Sequence, residues 1–83
     1  MKPDAEGTRV AMTLDMVGLF CPEPVLQVGS RINDIEVGEA LVLLADDPSA
    51  RSDIRSWAKR TGQEILAVED EDGVTKFTIR RTG

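Results

Sequence analysis

One side chain among the 83 residues has distinctive chemistry: the thiol of Cys21, set in Gly18-Leu19-Phe20-Cys21-Pro22-Glu23-Pro24. The thiolate is the nucleophilic form. It is favoured where unpaired backbone N–H groups and the positive end of a helix dipole face it. Cys21 stands where a loop meets a predicted helix start, a position that offers both. Pro22 and Pro24 restrict the backbone and so hold the sulfur in one direction, at the expense of two N–H donors. Glu23 opposes the thiolate electrostatically. From the residues alone two readings stay open: an activated nucleophile, or the small buried hydrophobe that a free cysteine commonly is.

Composition narrows the chemistry around that thiol. There is no histidine, which excludes a Ser-His-Asp or Cys-His constellation and a His-ligated zinc site. A single cysteine forms no internal disulfide, no CxxC pair and no Cys-rich metal site, and it suits a reducing cytoplasm. No metal and no small-molecule cofactor are expected. Single-thiol peroxidase chemistry competes in principle, yet nothing suggests a peroxide-activating set beside Cys21. The net charge of -5 argues against a nucleic-acid partner and against docking on an anionic membrane. The polar stretch from Met1 to Arg9 has no apolar core of a signal peptide, and no apolar run reaches the length of a membrane span. A cytoplasmic location follows as the expectation.

The elements that must position Cys21 can be read from periodicity. Residues 1–8 read as a flexible N-terminal tail, and residues 9–83 as one domain. Val10, Met12 and Leu14 alternate as in a half-buried strand over Arg9 to Asp15. Met16 to Phe20, broken by Gly18, reads as a loop. Val25, Val28, Ile32 and Ile35 share one helical face, with Gly38 as the stop. Gly29 in mid-helix is unfavourable, and close packing against the sheet is the expected compensation. Ala40 to Ala45 is wholly apolar, as in a strand buried on both sides.

A second helix follows Asp46-Asp47-Pro48, with Asp47 as cap and Pro48 in the first turn. Its buried face is Ala50, Ile54, Trp57 and Ala58, and Gly62 ends it. Glu64 to Glu69 and Val74 to Arg80 read as strands around Asp70-Glu71-Asp72-Gly73, where Asp72-Gly73 signals a hairpin. The predicted order is β-α-β-α-β-β: a two-layer α/β (α+β) sandwich, with a four-stranded mixed sheet and both helices on one face.

Leu14-Asp15, Gly18-Leu19, Cys21-Pro22-Glu23-Pro24, Asp46-Asp47-Pro48, Asp53-Ile54 and Trp57 closely resemble the TusA/SirA-like sulfur-carrier family. Its hallmark is CPxP at the start of the first helix, and the match runs from about Thr13 to Arg81. The resemblance implies a β-α-β-α-β-β sandwich and a sulfurtransferase-like carrier role. Cys21 would carry sulfur as a covalent persulfide, with Pro22, Glu23 and Pro24 positioning it. A donor protein, such as a cysteine desulfurase or a rhodanese, would load the thiolate, and a cysteine of the next relay protein would take the sulfur. Transfer-RNA thiolation, molybdenum-cofactor maturation and sulfur oxidation are all compatible pathways. A chain without a second cysteine suits that role, because a neighbouring thiol would discharge a persulfide by forming a disulfide. Relatives often carry basic residues early in the first helix; here Arg31 is the first cation.

Other residues bear on partners. Phe20 is a candidate docking anchor, with core packing as the alternative. Arg51, Arg55 and Lys59 recur every four residues, as a docking stripe for an acidic partner or as a solvated face with an Asp47–Arg51 pair. Asp46 is a further candidate for the partner surface. Glu69 to Asp72 lacks the spacing of a calcium loop and reads as a solvated hairpin. A monomer is expected. The alternative function is a non-catalytic regulatory or protein-binding module of the same fold. RNA binding, by analogy with the C-terminal domain of translation initiation factor three, is opposed by the acidic charge.

Overall fold

The computed structural model describes residues 9–19 and 24–83, together with the backbone of Glu23. The tail at residues 1–8, Phe20, Cys21, Pro22 and the side chain of Glu23 lie outside the described residues. The elements are β1 (Val10–Asp15), α1 (Glu23–Arg31), a 3-10 turn (Ile32–Asp34), β2 (Ala40–Ala45), α2 (Ala50–Thr61), β3 (Glu64–Glu71) and β4 (Val74–Arg80). The sheet order is β1-β2-β4-β3. β1 and β2 pair in parallel, while β4 runs antiparallel to both of its neighbours. The four-stranded mixed sheet and two helices are therefore the expected ones. The second crossover, however, does not bring β3 beside β2, because β4 is inserted between them.

The core lies between the helices and one face of the sheet. Val28 and Ile32 from the first helical segment, Ile54 and Trp57 from α2, and Leu41, Leu43, Phe77 and Ile79 from the central strands are all buried there. Each comes from an apolar position at helical or strand spacing. Val25 is only half-buried at its edge. α1 gives way to the 3-10 turn at Ile32, and Ile35 is buried from the following loop rather than from the helix. Val10 does not join the stripe of Met12 and Leu14. An irregularity in the β1–β2 register between Val10 and Met12 breaks the alternation, and Val10 stays exposed. On β2, Leu41, Leu43 and Ala45 on one face and Ala40 and Val42 on the other are all buried, and Leu44 alone is half-buried, so the strand is covered on both sides except at that residue.

The start of α2 differs from the expected cap. The helix begins at Ala50 with Ser49 as its N-cap residue, which makes no side-chain capping bond. Asp47 instead holds the preceding turn, its Oδ1 accepting from the Ser49 backbone N at 3.1 Å and from Ser49 Oγ at 3.0 Å. The β3–β4 loop is just Asp72-Gly73, with φ of 55° and 82°. Two positive φ values in a two-residue loop match the twist of the flanking strands, which explains why β3 continues to Glu71. Among the described residues no helix is long and apolar enough to cross a membrane.

Candidate functional site

Parallel pairing puts the carboxyl ends of β1 and β2 at the same pole of the sheet. The loop 16–19 and the start of α1 arise there, as do the turn 46–49 and the start of α2. In open α/β sheets this is the edge where sites form. Ala45 pairs with Thr75, so the Asp72-Gly73 hairpin projects from that pole as well.

The loop leading toward Cys21 is held by four hydrogen bonds. Met16 N donates to Leu44 O at 2.8 Å, and Leu19 N to Met16 O at 3.1 Å. Val17 N donates to Asp15 Oδ1 at 3.1 Å. Gly18 N donates to Asp46 Oδ1 at 2.9 Å, tying this loop to the one after β2. Gly18 has a φ of 91°, which an L side chain adopts only under strain. On the far side of Cys21, Pro24 is fully buried and anchors the first turn of α1 in the core. The three residues of the Phe20-Cys21-Pro22 segment are thus bracketed by a hydrogen-bonded loop and a packed helix start.

The predicted partner residues separate. Asp46 is exposed and holds the Gly18 amide. Arg51 pairs with Asp70 of β3 instead of with Asp47, and Asp70 Oδ1 also accepts from Thr75 Oγ1 at 2.6 Å. The Arg51 guanidinium and the Thr75 hydroxyl hold the Asp70 carboxyl below the usual aspartate range. Arg55 and Lys59 are exposed further along α2, leading away from the pole, and make no ion pair among the described residues. The acidic hairpin, read in the sequence only as solvated, lies at the same pole as loop 16–19 and the start of α1. Sequence reasoning also passed over Val17 and Leu26. Val17 is 43% exposed, Leu19 39% and Leu26 59%. The readable signal for Leu26 is an apolar residue one step off the Val25-Val28-Ile32 stripe. Among the described residues, no group of three or more His, Cys, Asp or Glu side chains is placed to hold a metal.

Residues 12–81 match the family model described as sulfurtransferase TusA. The chain belongs to the TusA family. It is 38% identical over 81 residues to the sulfur carrier protein TusA of Pseudomonas syringae pv. syringae, covering 98% of this chain and 96% of that one. It is 46% identical over 68 residues to a protein of Archaeoglobus fulgidus described as a candidate sulfur carrier, covering 81% and 88% of the two chains. The crystal structure of a SirA-like protein from Desulfitobacterium hafniense superposes with a TM-score of 0.71 at 28% identity, over 87% of this chain and 99% of that one.

Proposed function

We propose that this chain accepts sulfane sulfur on Cys21 and passes it to a cysteine of a partner protein. The observation that carries the reading is the CPEP segment in a TusA-family chain, bracketed by the bonded loop 16–19 and the buried Pro24. The Cys21 thiolate attacks the terminal sulfur of a donor persulfide. The donor's S–S bond breaks, its cysteine leaves as a thiolate, and a new S–S bond forms on Cys21. The proton count is unchanged and no external oxidant is needed. Delivery is the same exchange with Cys21 as the leaving thiolate. The start of α1 supports both steps, since its positive end lowers the energy of a thiolate at Cys21. Pro22, Glu23 and Pro24 set the direction of the sulfur. A cysteine desulfurase or a rhodanese is the donor, and no cofactor beyond the covalent sulfur is used.

The test is intact-protein mass spectrometry after incubation with a cysteine desulfurase and cysteine, and separately with a rhodanese and thiosulfate. A gain of one sulfur mass, absent in Cys21→Ser and reversed by reductant, is expected. No gain from folded protein with a titratable thiol would assign the chain to the regulatory or binding module instead.

A further inference from the structure

Two carboxylates stand on consecutive amides of the loop that leads to Cys21. Asp15 Oδ1 accepts from Val17 N at 3.1 Å, and Asp46 Oδ1 accepts from Gly18 N at 2.9 Å. A neutral oxygen would also satisfy these amides, so the charge is a property beyond the bond itself. Both residues are exposed, and neither forms an ion pair among the described residues. The surrounding cations are engaged or remote. Arg51 pairs with Asp70, and α1 carries no cation before Arg31, which pairs with Asp34. Lys76 shares a sheet face with Asp15 but lies two strands away. Chain connectivity alone keeps the Cα of Cys21 within about 11 Å of that of Gly18. Charges at that range act on an approaching ion, since the Debye length is about 8 Å at physiological ionic strength and about 30 Å at 0.01 M.

Negative charge here has the wrong sign to activate a thiolate, which the start of α1 favours instead. Its effect falls on the net charge of whatever approaches the sulfur. We infer that Asp15 and Asp46 set the charge selectivity of sulfur release: they turn away anionic small thiols, so that a persulfide on Cys21 is kept for a protein cysteine. This rests on the carrier reading of Cys21 and specifies which acceptors are refused. In the refused reaction a small thiolate attacks the outer sulfur of the Cys21 persulfide. The S–S bond breaks, Cys21 leaves as a thiolate, and the small molecule departs as a persulfide with no oxidant consumed. Glutathione represents the class, because its thiolate form has a net charge of about -2. A protein cysteine set among neutral or basic residues meets no such barrier.

The experiment loads the full chain with sulfur from inorganic polysulfide, removes the donor, and follows loss of the sulfur mass by intact-protein mass spectrometry. The attacking thiols are glutathione and an end-capped Lys-Cys-Lys peptide, whose thiolate form has a net charge of about +1. The intrinsic reactivity of each is taken at about 1 M potassium chloride, where the Debye length is about 3 Å. On lowering the salt to about 0.01 M, discharge by glutathione should slow about fivefold and discharge by the peptide should quicken about twofold. Asp15→Asn and Asp46→Asn keep an oxygen for the amide and remove the charge. At low salt each should discharge to glutathione about twofold faster than wild type and the double variant about fivefold, with the differences gone at high salt. Glu36→Gln makes the same change of charge in the exposed turn before β2, at the opposite pole, and should leave the rate within about a third of wild type. Parallel salt responses of the two thiols would overturn the inference, a result that needs only wild type. Asparagine variants no faster than wild type with glutathione, or Glu36→Gln as fast as the double variant, would overturn it too and leave the carrier reading standing. A wild type that takes sulfur from neither polysulfide nor an enzyme donor, with its thiol titratable, would overturn the carrier reading and this inference with it.

Discussion

Gly29 of α1 lies directly against the indole of Trp57 in α2: a Cβ on Gly29 would stand 3.3 Å from Trp57 Nε1. The missing side chain lets the two helices close on each other, so the compensation for a mid-helix glycine is helix–helix packing, not contact with the sheet. Adding a methyl group there returns about 1 kcal/mol of helix propensity. It also overpacks a buried contact, at a cost of about 1–3 kcal/mol. Gly29→Ala should therefore lower stability by about 1 kcal/mol and Gly29→Val by more than about 2. Urea unfolding followed by the fluorescence of Trp57, the single tryptophan, measures both. A Gly29→Ala protein more stable than the parent would mean that the indole yields freely.

Arg81 anchors the end of the first helical segment. Its Nη1 donates to Ile35 O at 2.5 Å and Asn33 O at 3.5 Å, while its backbone N donates to Glu39 O at 2.9 Å. Arg81→Ala should cost about 1–2 kcal/mol, since charged donors to backbone carbonyls contribute more than neutral ones. Faster hydrogen exchange confined to residues 33–39 would be its signature. Uniform acceleration across α2 as well would argue against a local clamp.

Asp70 makes stability pH-dependent in one direction. Its folded-state value is lowered, first by the hydrogen bond from Arg51 and then by that from Thr75. The contribution is therefore complete above the unfolded aspartate value of about 3.9 and is lost as pH falls through the lower folded value. The stability difference between wild type and Asp70→Asn should be constant from neutral pH to about pH 5 and vanish in stronger acid. Because the pair is exposed, added salt should shrink it. A difference that grows on acidification would contradict this assignment.

The Asp46–Gly18 bond links the two loops at the site. Asp46→Ala removes the acceptor and should slow sulfur loading of Cys21 by a protein donor, with a stability loss of about 1 kcal/mol. Asp46→Asn keeps a side-chain oxygen and should retain most of the rate. Equal rates in both variants would show that loop position does not govern loading.

Much of this was legible in the chain because its signals were local. The face Ala50-Ile54-Trp57-Ala58 follows helical periodicity, Ala40–Ala45 reads as a strand residue for residue, and Asp72-Gly73 dictates its own turn. What escaped was relational. Nothing local places β4 between β2 and β3, and nothing in the spacing of Arg51 says that it reaches Asp70 rather than Asp47. Asp47 looked like a helix cap by residue type, but the chain spends it on Ser49, one turn earlier. The thiol is a candidate by elimination and by resemblance, since a cysteine before a helix is ambiguous on physical grounds alone. That loop 16–19 and the acidic hairpin share one pole depends on strand order and direction, so it could be seen only in the fold.

That strand order has a consequence for how the molecule comes into being. β4, last of the strands to be synthesised, is an interior one and supplies the hydrogen-bonding partner for both β2 and β3. Until the ribosome has released Arg80, β2 has only β1 beside it and β3 has no neighbour at all. The sheet closes in one late event, in which β4 makes a local hairpin with β3 and a sequence-distant pairing with β2, and the distant pairing is the kind associated with slower folding. A nascent chain therefore cannot present the finished pole from which loop 16–19 and α1 arise, and a chain interrupted within β4 loses the middle of its sheet rather than an edge.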